Sequence, residues 1–332
     1  MKDAPLRTFG RFRAARGPKG QRITRFWPFL CIALILLAAL DLLAGNGLGA
    51  VGGVLLWKLR LPRMLTAVVA GASLGLAGAQ MQAVFRNPLA DPHIMGVSGG
   101  AGLGAAVVSL ALGSSAWWFS GTSMAIAAIL GAFLTSALIV TLSARVRSST
   151  LLILGVMLGF IFSAVTSILQ YSAGEESLKL FYSWMAGSFS GTRYGELAAM
   201  AAALLGGLVL AVCNGKGLDL ILFGDDYATF SGASTRAIRT RAMLSASLMT
   251  GMVTAFCGPV GFVGIVAPHL ARRLWGTAAH RSLIPGTLLT GASLALVADI
   301  LANLWPTPLP VGSTMALIGI PLVLVLLLRN TS

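Results

Sequence analysis

Ten apolar segments separated by short polar breaks occupy nearly the whole chain, at approximately 27–45, 61–85, 93–112, 118–142, 149–171, 194–213, 238–257, 262–272, 283–304 and 311–329. A helix needs about 20 apolar residues to cross a bilayer, so most of these can span and the shorter ones need tilt or a partner. The pattern predicts an all-α, polytopic membrane protein with about ten transmembrane helices.

The sharpest of the polar breaks is Arg86-Asn87-Pro88-Leu89-Ala90-Asp91-Pro92. Asn87-Pro88 stops a helix, because the residue before proline is pushed out of the helical region. Asp91-Pro92 starts another: Asp91 is placed to cap free N–H groups, and Pro92 takes the first helical position, where its missing donor is harmless. Glycines recur at four-residue spacing on either side, as Gly71 and Gly75, then Gly96, Gly100 and Gly104, then Gly155 and Gly159. Such ladders let helix backbones approach closely where no hydrophobic effect drives association. Gly75-to-Gly104 is echoed by Gly251-to-Gly276, each with a glycine-bearing span, a proline-containing break and a short following helix. An inverted repeat is one reading of that echo.

Composition narrows the class. With 56% hydrophobic and 10% charged residues and a mean hydropathy of +0.85, the chain is no soluble domain. Its net charge of +14 would suit a nucleic-acid binder, but eight of the 24 Lys and Arg lie within the first 25 residues. Residues 1–26 therefore read as a basic arm that can lie on anionic lipid, and residues 27–332 as the membrane domain. No small-residue cleavage site follows the arm, so it is not read as a signal peptide. With the arm inside and counted with the short loops on its side, Lys and Arg divide as 19 on that side against five on the other. Both termini and the Arg86–Pro92 break are then expected in the cytoplasm.

The apolar interior holds few ionisable groups. Asp299 is the one well inside a late span, while Asp41, Arg86, Asp91, His93 and His269 fall near predicted ends. An ion-coupled carrier would bury several carboxylates, so ion-gradient coupling is disfavoured. There is no His-Glu-x-x-His and no Gly-x-Ser-x-Gly, which disfavours an intramembrane enzyme. Cys31, Cys213 and Cys257 lack metal-ligand spacing and read as packing residues, and His93, His269 and His280 read as structural.

One cytoplasmic stretch, 217–234, is too apolar for an ordinary loop. Asp219 is placed to cap a short helix through Leu220, Leu222 and Phe223; Gly224 breaks it; Asp225 starts a second helix bearing Tyr227, Ala228 and Phe230, before Gly232. Exposed apolar residues outside the bilayer call for a protein partner or a lipid surface. The chain carries no Gly-x4-Gly-Lys-Ser/Thr loop, so any nucleotide hydrolysis belongs to another subunit.

These stretches together resemble the FecCD-like permease subunits of type II ABC importers, which carry ferric siderophores, haem and cobalamin. The likeness covers residues 27–330. It rests on Leu59-Arg60-Leu61-Pro62-Arg63, Gln82, Arg86–Pro92 with Gly96 and Gly100, the segment from Asp219 to Gly232, Gly258–Gly264, Pro268-His269-Leu270-Ala271-Arg272, Asp299, and Leu309–Gly312 with Gly319–Pro321. The resemblance implies a homodimer enclosing a translocation path in the bacterial inner membrane. Two ATPase subunits holding ATP and Mg would dock below and a periplasmic substrate-binding protein above, with no cofactor resident on this chain. It casts residues 218–234 as the ATPase-coupling element, and Arg60 and Arg63 as docking residues for the binding protein. The family's third arginine is Asn303 here and its usual glutamate is Pro308. Alternating access would pass a cytoplasmic gate, for which Ser148, Ser149 and Thr150 are the candidates, although the same residues suit an N-cap. Among cargoes the region from Pro268 to Arg281 leans towards haem, with ferric siderophore and cobalamin as the alternatives.

Overall fold

The computed structural model describes residues 20–43, 55–111, 121–143, 146, 148–305 and 307–331; the arm to residue 19 lies outside them. Twelve α-helices dominate, and no strand occurs among the described residues. In chain order the first six are α1 (Gly20–Leu43), α2 (Leu61–Phe85), α3 (Val97–Ala106), α4 (Gly121–Ser143), α5 (Ser148–Ser172) and α6 (Glu175–Met185). Then come α7 (Tyr194–Ile221), α8 (Asp225–Phe230), α9 (Thr235–Cys257), α10 (Val263–Trp275), α11 (His280–Ala302) and α12 (Val311–Thr331). Wide turns extend α2 backwards over Leu56–Arg60 and α3 forwards over Val107–Ala111.

Among the described residues, five stretches are long and apolar enough to cross a membrane: Leu56–Phe85, Ser123–Ser143, Thr150–Ser172, Tyr194–Ile221 and His280–Ala302. Pro28–Leu43, Val97–Ala111 and Val311–Val325 are shorter apolar helices. Of the remaining expected spans, α9 opens with Arg236, Arg239 and Arg241, and α10 has 13 residues. The first helix starts at Gly20, before the apolar run expected from residue 27, because helical hydrogen bonding does not end where hydropathy does. An unexpected helix, α6, follows Gly174 with Glu175 and Glu176 in its first turn, where acidic side chains suit the helix dipole.

α2 is the central post, with Ala67, Ala70, Leu74, Leu76, Ala77 and Met81 almost fully buried. Its glycines make close backbone contacts. A Cβ on Gly71 would stand 2.3 Å from the carbonyl oxygen of Gly291 in α11, and one on Gly78 2.0 Å from that of Gly264 in α10. Gly104 approaches Ala127 in the same way, with Gly100 against Gly131, so these two form the α3–α4 seam, while Gly96 faces the Gly155 carbonyl of α5. The third ladder differs: Gly159 has nothing within 4 Å of where its Cβ would be. It lies on α5, whose Phe160, Ile161 and Ile168 are exposed.

The two proline-containing breaks that echo each other in sequence meet in space. His93 places Nε2 2.8 Å from the Val260 carbonyl oxygen, and a Cβ on Gly264 would lie 2.7 Å from Pro92 Cδ. Both short helices, α3 and α10, thus begin at one junction beside α2.

Candidate functional site

Two polar clusters stand at opposite ends of α2, separated by the 23 residues from Arg63 to Arg86, or about 35 Å of helix.

At the Arg86 end, α2 stops as expected. Arg86 takes a left-handed backbone, φ 48 and ψ 34. Asn87 Oδ1 accepts from Leu89 N at 2.9 Å, and Ala90 N donates to Asn87 O at 3.1 Å, a self-bonded turn around Pro88. Asp91 Oδ1 accepts from His93 N at 2.8 Å, the expected cap, but the helix it starts is only the four-residue turn Pro92–Met95. Gly96, at φ 73, reverses the chain into α3. His93 Nδ1 meets Ser98 Oγ.

Beside this turn lies the segment 217–234, and its first half corrects the expectation. α7 runs unbroken to Ile221, eight residues beyond the apolar run ending at 213. Asp219 therefore caps no new helix. Its Oδ1 accepts from His280 N at 2.9 Å and pairs with His280 Nδ1 at 2.6 Å, tying the end of α7 to the start of α11. Gly224 then breaks the chain at φ 119 and Asp225 starts α8, as the sequence predicts. The apolar positions also divide unevenly. Ala228, expected on the outer face, is buried and Leu220 and Leu222 are half-buried, whereas Phe223 is 75% and Phe230 90% exposed. Phe223 sets its ring against that of Tyr227, tilted by 52° with centroids 5.4 Å apart, giving a small aromatic edge on the outside of the bundle. Gly232, at φ 78, turns the chain towards α9, where Ser234 caps by accepting from Ala237 N.

Asp225 binds this segment inward. Its Oδ2 lies 2.5 Å from Arg239 Nη2 in α9 and 3.9 Å from Arg86 Nη2 in the turn after α2.

At the Arg63 end, the guanidinium of Arg63 reaches Asp299 Oδ2 at 2.8 Å and Asp41 Oδ1 at 3.5 Å, and donates to Asn303 Oδ1 at 2.9 Å. Asn303 also donates to the Asp299 carbonyl at 2.6 Å. Arg60 is buried and donates to Leu42 O at 3.0 Å. The two arginines expected to present free charge to a docking partner are thus both engaged inside the fold. Pro308 is exposed nearby. A pocket of about 290 Å³ opens at this end beside Trp184 and Phe256, edged by Ser183, Ser188 and Ser190.

The remaining motif residues are packing elements. Gln82 donates to Gly264 O at 3.2 Å and accepts from Arg272, closing α2 on α10. His269 bonds Ile265 O through Nδ1 at 2.8 Å, and Pro268 is buried within α10. Of the expected packing cysteines, Cys257 is buried but Cys31 and Cys213 are exposed. Among the gate candidates, Thr150 is exposed in the first turn of α5, and the side chains of Ser148 and Ser149 lie outside the described residues. No local sequence signal points to the partner of Asp41 or of Asp225. A cue to α6 was present, in the acidic turn after Gly174.

Comparison with known proteins places this geometry. The model of the FecCD transport family matches residues 21–329. Vitamin B12 import system permease proteins BtuC are similar. That of Salmonella paratyphi A is 35% identical over 322 residues, covering 93% of this chain and 97% of the relative. That of Klebsiella pneumoniae is 36% identical over 321 residues, covering 93% and 96%. The uncharacterized ABC transporter permease protein YvrB of Bacillus subtilis is 34% identical over 282 residues, covering 83% and 79%. An ABC transporter assigned to the metal-chelate type, solved in an inward-facing conformation, superposes with a TM-score of 0.84 at 31% identity, covering 92% of this chain and 99% of that one. PsaBC of Streptococcus pneumoniae shares the fold alone, at a TM-score of 0.51 and 17% identity, covering 80% and 90%.

Proposed function

Because this chain belongs to the FecCD transport family and is the permease subunit of a type II ABC importer, we propose that it carries an intact metal chelate inward across the membrane, with cobalamin favoured over haem. The Arg86–Asp225 end faces the cytoplasm and a pair of ATPase subunits; the Arg63 end faces a substrate-binding protein; a second copy of the chain completes the path. The aromatic edge of Phe223, Tyr227 and Phe230 carries this reading. Large rings exposed outside the bilayer, on a segment held inward by Asp219 and Asp225, suit a protein groove. The orientation agrees with the excess of Lys and Arg at that end.

The names of the relatives support cobalamin over the haem suggested by the region Pro268–Arg281, and the histidines act as packing residues, as expected. His280 is buried on Asp219, His269 is bonded within α10, and His93 has both ring nitrogens engaged. Arg60 and Arg63 shape the outer rim from within rather than offering free charges, so docking there rests on the rim as a whole.

Reconstitution in liposomes with the ATPase tests the proposal. Binding protein loaded with cobalamin should stimulate ATP hydrolysis and uptake more than the same protein loaded with haem or a ferric siderophore. A response to haem alone would overturn the cargo, and uptake that continues without ATP but collapses with the proton gradient would overturn the machine.

A further inference from the structure

We infer that Arg86 is a positioning residue of the transport cycle, registering the coupling segment around Asp225 against the turn that leads into α3. The inference rests on the importer reading above.

The first observation is a mismatch between residue and backbone. At φ 48 and ψ 34 Arg86 occupies the left-handed region, where the end of a helix favours glycine or asparagine. Burial does not compensate for that choice, since the side chain is 43% exposed. The side chain reaches the coupling segment: Nη2 stands 3.9 Å from Asp225 Oδ2, and Nη1 would lie 3.6 Å from a Cβ on Gly224. A backbone outlier held by its surroundings at such a place points to function rather than stability.

The second observation is the position of Asp225. Its one carboxylate joins three elements, because Arg239 of α9 and Arg86 of the turn meet on the same Oδ2 at the first residue of α8. From Arg86 the chain needs only five residues to reach Asp91. Those residues are stiffened by Pro88, by the Asn87 turn and by Pro92. Pro92 packs on Gly264 at the start of α10, and His93 joins Ser98 in α3 to Val260. A displacement of α8 is thereby passed to the starts of two short helices. Asp219–His280 provides a separate link, to α11. A half-exposed ion pair adds little to stability, but it is directional and is screened by salt.

Arg86→Asn separates this role from a structural one, because asparagine suits the backbone better and removes the guanidinium. The variant and its ATPase should purify together, melt no lower than the wild type, and move at least about fivefold less substrate per ATP hydrolysed. Arg86→Lys should retain most of the wild-type ratio. An unchanged ratio in Arg86→Asn overturns the inference. Lowered melting in both Arg86→Asn and Arg86→Gly would make Arg86 structural, and loss of the complex would place it in the docking contact itself; either result also overturns it. If the wild type itself fails to couple uptake to ATP, the importer reading fails instead.

Discussion

Arg63 serves two buried carboxylates at once, with Asp41 and Asp299 side chains only 1% and 2% exposed. Removing a partner from a buried ion pair leaves a charge uncompensated, and costs about 3–5 kcal/mol. Arg63→Met should therefore lower the melting temperature of the detergent-solubilised protein markedly, and adding Asp41→Asn should recover part of the loss. No recovery would mean that packing rather than charge is at stake. At this scale the sequence was half legible. Asp299 stood out as a charge inside an apolar run, and Arg63 as a motif residue, but nothing local joined them. Their separation of 236 positions is closed only by α1, α2 and α11 coming together. Asn303, a departure from the family pattern, proves to be a member of the same cluster, bonded to both Arg63 and Asp299.

Helices and their breaks were the more readable level. Asn87-Pro88, Asp91-Pro92, Gly224 and Gly258 all mark ends where the backbone does turn, because turn and cap chemistry acts within a few residues. The glycine ladders announced close packing, yet not equally. Gly78, which belongs to none of the ladders, is so placed that a side chain would collide with the Gly264 backbone, whereas one on the ladder residue Gly159 meets open space. Gly78→Val should destabilise the bundle by about 1–3 kcal/mol or prevent its accumulation, and Gly159→Ala should leave melting unchanged or slightly raised, because alanine favours a helix. Equal effects in thermal melts would contradict the packing assigned here. The segment 217–234 stands out in the sequence, but its first half does not read locally: Asp219 looks like a cap, and the apolar run ends at 213. α7 continues past both because Leu218 and Ile221 are buried against neighbours, a gain that local capping signals do not include.

For the whole molecule, the aromatic edge proposed to meet the ATPase makes the plainest forecast. Phe223→Asp places a charge at the centre of an exposed aromatic edge, so it should abolish co-purification with the ATPase while the permease keeps its wild-type melting temperature. Retention of the complex would remove this edge from the interface. Hydropathy and the distribution of Lys and Arg were enough to determine an all-helical membrane protein, and the family likeness of the ordered motifs an importer subunit, because each depends on composition or on a few adjacent residues. Which helices touch, which of Phe223, Ala228 and Phe230 faces out, and which arginine meets Asp225 were decided only by tertiary structure. Close packing in a bilayer is governed by shape and by the pairing of rare polar groups, and both depend on residues that are remote in sequence and adjacent only once the bundle has formed.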